Sequence, residues 1–349
     1  MSDESVEQLL RKADDGLQPV LLVLDENPSL LPAPRHEASR ALSNRFDVCM
    51  RARKQGWPCS FSDFVITAES MLECKRAAYR VSKEKRVVEA VLQTLWQHLP
   101  EGGELFIAGY KQEGIKTFAK RCEAAWDCSV ELERGEGQLH LYRFAKLSER
   151  AELLQAEDYH ALQQIGEWQQ HPLLSKPGIF AWDRIDEGSA FLLEHLPQWL
   201  QAVDTQSARA LDLGCGNGVL ALALLQAGFR EVVATDNNAA AIRAAEANLQ
   251  TVADGQSVSV VADDCGSTLR GTFDVIVCNP PFHQGFDVEQ DLTDRFLQAT
   301  QRVMKAEGSA LFVVNAFIPL ERKATENFGH VRVLADNRRY KLVELKHYD

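Results

Sequence analysis

At four points in the second half of this 349-residue chain an apolar run stops at residues able to bind or steer a reacting group. "LDLGCGNGV" carries Asp212, then Gly214, Gly216 and Gly218, with Cys215 inside the glycine run. Glycine is needed where the backbone takes positive φ or where a ligand must come close without a Cβ in the way. "VVATDNN" stops at Asp236 and Asn237, with Asp236 lying 22 residues past Gly214, where a carboxylate can accept both hydroxyl hydrogens of a ribose. "VADDCG" stops at Asp263 and Asp264, and "FDVIVCNPPFHQG" stops at Asn279, Pro280, Pro281, Phe282 and His283. The dinucleotide fingerprint G-x-G-x-x-G is not met, because its third glycine falls at Val219. Any one of these aspartates could be a helix N-cap. Three acidic run ends in succession fit a binding crevice better.

The G-x-G-x-G spacing, with an acidic residue two positions ahead, resembles the S-adenosylmethionine loop of class I methyltransferases. "NPPF" resembles the Asn/Asp-Pro-Pro-aromatic motif of those that methylate planar nitrogens, such as the exocyclic amino groups of bases or a glutamine amide. The lone pair of such a nitrogen is delocalised, so it is a poor nucleophile. Acceptors at the Asn279 side-chain oxygen and the Pro280 carbonyl would take both amino hydrogens, favour pyramidalisation and aim the lone pair at the sulfonium methyl. The two prolines would keep those acceptors in place. Phe282 would stack on a base swung out of its helix. The resemblance implies S-adenosyl-L-methionine as cofactor, held by Asp212, Gly214, Cys215, Gly216, Gly218, Asp236, Asn237 and Asn279. A carboxylate after the third strand would hold the adenine amino group, which points to Asp263 or Asp264, with Asp263 preferred.

Upstream, "PGIF" and "DEGSAFLL" precede "LDLGCGNGV", "NPPFH" and "NAFIP". Together these look like the bacterial ribosomal RNA guanine-N(2)-methyltransferase family, on its small-subunit side. The resemblance implies methyl transfer to N(2) of a guanine in 16S rRNA, with the small ribosomal subunit as partner. It places Phe180, Asp186, Gly188 and Ser189 near the cofactor or the pocket mouth. Ala181 and Trp182 depart from the small hydroxyl residue expected after Phe180, so Trp182 is either a stacking lid or a packing residue. His283 either touches substrate or is structural, and Asn315 either lines the base pocket or is a turn amide. The rival readings are a large-subunit (23S) paralogue, a protein-glutamine methyltransferase and a non-catalytic assembly factor that keeps the fold alone.

These residues need a parallel sheet to position them. From Ala208 onward, β-rich runs alternate with helical patterns, which implies a doubly wound α/β domain. The first half repeats the theme. An offset of about 206 sets Glu101, Gly102, Leu105 and Phe106 against Glu307, Gly308, Leu311 and Phe312. Both copies run helix, glycine turn, strand, helix and closing hairpin, so an internal duplication is the economical reading. The expected fold is α/β, with two tandem Rossmann-like domains of class I methyltransferase type. The N-terminal one is degenerate, with "LVLDENPSLLPAP" in place of the glycine loop and a basic stretch in place of "NPPF". The expected boundaries are 1–150 for the degenerate domain, 151–175 for a connector and 176–349 for the catalytic domain, and "RFAKLSERAELLQAEDYHALQQIGEW" between the halves reads as mostly helical.

Net charge is −12, which argues against a generic nucleic-acid binder. The charge is uneven: residues 1–150 hold 22 of the 38 basic and 23 of the 50 acidic side chains. Within "CKRAAYRVSKEKR", Lys83, Lys85 and Arg86 are the candidate RNA contacts, the alternative being a solvated surface. The eight cysteines are scattered, with no C-x-x-C pair or zinc spacing, so no metal is expected. No apolar run is long enough for a membrane span, and the acidic, polar start "MSDESVEQLLRKADDG" does not read as a signal peptide. A cytoplasmic monomer is expected.

Overall fold

The computed structural model describes residues 4–25, 31–69, 71, 73–136, 138–154, 158–281 and 286–348, with the backbone alone for 286–291. The chain divides into two compact units, Met1–Ala161 and Leu162–Asp349. That division falls inside the stretch 151–175 that the sequence sets apart as a connector.

The first unit contains β1 (Val20–Leu24), β2 (Arg40–Ser43), β3 (Cys59–Phe61), β4 (Arg76–Arg80), β5 (Glu104–Tyr110), β6 (Trp126–Arg134) and β7 (Leu139–Ala151). They form one sheet in the order β3-β2-β1-β4-β5-β7-β6. The second unit opens with a hairpin of β8 (Gln163–Trp168) and β9 (His171–Ser175). It continues with β10 (Arg209–Leu213), β11 (Glu231–Asp236), β12 (Ser257–Ala262), β13 (Phe273–Cys278), β14 (Met304–Asn315), β15 (His330–Asp336) and β16 (Tyr340–Lys346). Its main sheet runs β12-β11-β10-β13-β14-β16-β15, the same order shifted by nine strands. In both sheets the first four pairings in this order are parallel and the last two are antiparallel.

The apolar runs are continuous because both faces of each sheet are covered. In β1, Leu21 and Val23 enter one core cluster while Val20, Leu22 and Leu24 enter another. In β10, Ala210 faces one cluster while Leu211 and Leu213 face the other. Successive side chains point to opposite faces, so a strand buried on both sides carries no polar alternation.

Register supports the internal match. Phe106 of β5 pairs with Ala78 of β4, and its counterpart Phe312 of β14 pairs with Cys278 of β13. Tyr79 therefore takes in the first unit the place that Asn279 takes in the second. Tyr79 is fully buried, and its hydroxyl donates to Asp25 Oδ2 at 3.2 Å.

The expected helical connector is a correction. "RFAKLSER" lies in β7 and "QQIGEW" forms β8. Lys, Glu and Arg favour a helix locally, but pairing of β7 with both β5 and β6 overrides that preference. Lys146 illustrates how a charge is accommodated there: its buried Nζ donates to the carbonyls of Trp96 (3.2 Å) and Leu99 (2.7 Å) and pairs with Glu149 at 2.6 Å.

Candidate active site

In the second unit the parallel strands leave the sheet at one end, and the singled-out residues collect there. Asp212 sits at the end of β10 with the glycine loop after it, Asp236 closes β11, Asp263 and Asp264 follow β12, Asn279 and Pro280 follow β13, and Asn315 closes β14. The chain runs outward from β10 to β11 and β12 on one side and to β13 and β14 on the other. The crevice at such a reversal is where open α/β sheets bind ligands.

The loop after β10 is tied to β11 by the Gly214 and Cys215 amides, which donate to the Thr235 carbonyl at 2.9 and 2.8 Å. Asp236 accepts the Gly216 amide at 2.8 Å through Oδ2 and the Asn238 amide at 2.8 Å through Oδ1. Gly216 has φ +54, and a Cβ built there would meet nothing within 4 Å, so its bare face opens onto free space. Asp212 is fully buried. Its Oδ2 accepts the Ala221 amide at 2.8 Å, and its Oδ1 has no partner among the described residues. Burial pushes its pKa up to about 7, helped by the nearby Asp236 carboxylate. An open glycine cradle, a strand-end carboxylate and an orphaned buried acidic oxygen fit a cofactor with ribose hydroxyls and cationic groups.

The Cys215 and Cys278 thiols are pushed well up, first by burial and then by nearby carboxylates, so they are held neutral. Asp263 is buried and accepts from Ser267 Oγ at 3.0 Å and the Thr268 amide at 3.1 Å, while half-buried Asp264 pairs with Arg295. Both carboxylates already have local partners.

Asn279 has the most informative surroundings. Its Nδ2 donates to Asp186 Oδ2 at 2.8 Å and to Ser189 Oγ at 2.9 Å. A carboxylate only accepts, so this contact fixes which end of the amide faces it. The Oδ1 atom has no partner among the described residues and remains available as an acceptor. Asp186 also N-caps the helix Glu187–Trp199, accepting the Ser189 amide at 3.0 Å. Gly188 allows this close approach: a Cβ there would stand 3.0 Å from Asp186 Oδ2 and 3.2 Å from the Tyr340 ring. Gly188→Ala is therefore expected to displace these contacts and slow turnover at this site about 10- to 100-fold, as misplacement of a positioning group does. Turnover under saturating conditions checks this; wild-type turnover would refute it.

The remaining residues are placed as follows. Trp182 packs against Ile179, Ala240, Ala241 and Ala244, while Phe180 is 52% exposed. Asn237 is half-buried beside Asp236. Phe282 and His283 lie outside the described residues. Lys83, Lys85 and Arg86 are exposed in the first unit, after β4, but Arg76 and Arg80 of the same basic stretch are spent on ion pairs with Asp15, Glu104 and Glu113. Sequence reasoning missed Asn238. Its Oδ1 accepts the Ala240 amide at 2.9 Å, and its Nδ2 donates to the Gly178 carbonyl at 2.6 Å, tying the loop before Phe180 to the end of β11. Among the described residues no group of three metal-ligating side chains occurs, and no helix is long and apolar enough to cross a membrane.

Residues 170–344 match the methyltransferase small domain, and residues 7–133 match its N-terminal companion domain. The chain belongs to the methyltransferase small-domain family. Its relatives include ribosomal RNA small subunit methyltransferase C of Escherichia coli K12, 30% identical over 96% of this chain and 94% of that protein. The protein of the same name from Shewanella loihica is 33% identical over 74% of this chain and 73% of its own length. A solved T. thermophilus 16S rRNA N2 methyltransferase, in complex with AdoMet and guanosine, shares the fold of this methyltransferase. Its TM-score is 0.81 at 22% identity, over 98% of this chain and 92% of that one.

Proposed function

We propose that this methyltransferase transfers a methyl group from S-adenosylmethionine to the exocyclic N(2) of a guanine in 16S rRNA of the small ribosomal subunit. The observation that carries the reading is the clamped Asn279 amide, which keeps Oδ1 as an acceptor beside the cofactor crevice. Bound S-adenosylmethionine supplies an electrophilic methyl on a sulfonium. Asp236 would hold the ribose hydroxyls, Gly214 and Gly216 would let the cofactor lie against the backbone, and Asp212 would face its positive charge. Asn279 Oδ1 and the Pro280 carbonyl would accept the two amino hydrogens of the guanine, drawing the nitrogen toward a pyramidal form. The proton of the methylated amine is acidic enough to leave to water, so no strong base is required. Lys83, Lys85 and Arg86 would contact RNA phosphates from the N-terminal unit.

The test is tritiated methyl transfer to ribosomal subunits from a strain lacking this gene. A variant with Lys83, Lys85 and Arg86 changed to glutamate runs alongside. Label recovered as N(2)-methylguanosine in 16S rRNA is expected. Label in 23S rRNA or in protein would overturn the substrate assignment, and undiminished RNA affinity in the triple variant would remove the phosphate role of that stretch.

A further inference from the structure

Phe317 is 75% exposed, yet it sits in a fixed turn just past β14. The Ile318 amide donates to the Asn315 carbonyl and the Leu320 amide to the Ile318 carbonyl, both at 2.9 Å, and Leu320 is fully buried. The Ala316 amide donates to the Arg339 carbonyl at 2.8 Å, which joins this turn to the one between β15 and β16. That second turn is also built: the Arg338 amide donates to Asp336 Oδ1 at 2.7 Å, and Asn337 Oδ1 accepts from the Arg339 amide at 3.0 Å and the Tyr340 amide at 2.8 Å. Arg338 adopts φ +71, a conformation that costs a non-glycine residue energy. Its side chain is exposed, with no partner among the described residues. Arg339 reaches Glu187 at 2.5 Å, the neighbour of the Asp186 that holds Asn279, so this rim borders the site.

An aromatic ring and a guanidinium held out to solvent by two interlocked turns gain nothing from packing. They stand out in a half of the chain that is otherwise acidic. A base leaving its stack exposes the face of its neighbour, and single-stranded RNA is recognised by aromatic stacking and cationic contacts to phosphate. Resting on the rRNA reading above, we propose that Phe317 and Arg338 seat the nucleotide next to the target guanine, Phe317 stacking on its base and Arg338 meeting its phosphate.

Two readouts test this with full-length Phe317→Ala, Phe317→Trp and Arg338→Ala proteins: KM for unmethylated small subunits, and affinity for a labelled single-stranded oligoribonucleotide. Phe317→Ala is expected to weaken both about tenfold, while Phe317→Trp stays within about threefold of wild type because it retains a stacking face. Arg338→Ala is expected to reduce the slope of log affinity against log salt by about one. S-adenosylmethionine affinity and melting temperature should match the wild type. Unchanged KM and RNA affinity in Phe317→Ala, or an unchanged salt slope in Arg338→Ala, overturns the proposal. A wild-type protein that binds RNA through these residues but methylates no subunit overturns the substrate reading instead and leaves the rim intact.

Discussion

Replacing Asn279 by alanine is expected to lower methyl transfer by about 100- to 1000-fold, the usual cost of removing one preorganised polar group that acts on the reacting centre. Asn279→Asp is a sharper probe because it is nearly isosteric. It removes the two donors that Asp186 and Ser189 use and sets a second carboxylate against Asp186. Activity should fall at least as far as in Asn279→Ala. Adding Asp186→Asn restores a donor facing an acceptor, at the cost of the helix cap, because the one oxygen Oδ2 makes both contacts. The double variant is therefore expected to recover at least tenfold over Asn279→Asp alone. Asp186→Asn by itself should lose less than Asn279→Asp, since its amide oxygen can still accept from Asn279 Nδ2 and from the Ser189 amide. A double-mutant cycle on kcat measures the coupling. Additive losses with no rescue would show that Asp186 does not orient Asn279.

The second large effect concerns Asp212. Its carboxyl titrates near 3.8 when unfolded and at about 7 in the folded protein, mainly because burial penalises the charged form. The folded state thus holds this proton more tightly than the unfolded chain between those values. Its contribution to stability is full below pH 3.8 and is lost as pH rises toward 7. The shift corresponds to roughly 4 kcal/mol. Asp212→Asn cannot ionise, so the variant should gain on the wild type by a few kcal/mol between about pH 4 and about pH 8, with the difference levelling off above about pH 7. Urea denaturation of both proteins across that range measures it. Parallel stability curves would show that Asp212 is not charged at a cost in the folded state.

Much of this site could be read from local sequence. The glycine loop, the three acidic strand ends and "NPPF" each occupy a few consecutive residues, and continuous apolar runs placed them at strand ends. The duplication was legible because the matched residues sit in equivalent strands. Where the sequence misled, local preference was overruled by distant partners, as when β7 took a helix-prone segment into pairing with β5 and β6. The hydrogen bonds of Asp263 to Ser267 and Thr268 are set by how its turn folds, which the motif alone does not encode.

The sequence by itself determined the chemistry on offer: which acceptors, which glycines and which acids stand at the ends of which strands. Only the tertiary structure decided how Asn279 points. Its partner Asp186 lies 93 residues away, and an amide is chemically two-faced until an acceptor fixes its donors. Likewise, Arg339 meets Glu187 because an antiparallel strand returns to the edge of β14, a contact between distant residues that no local pattern encodes.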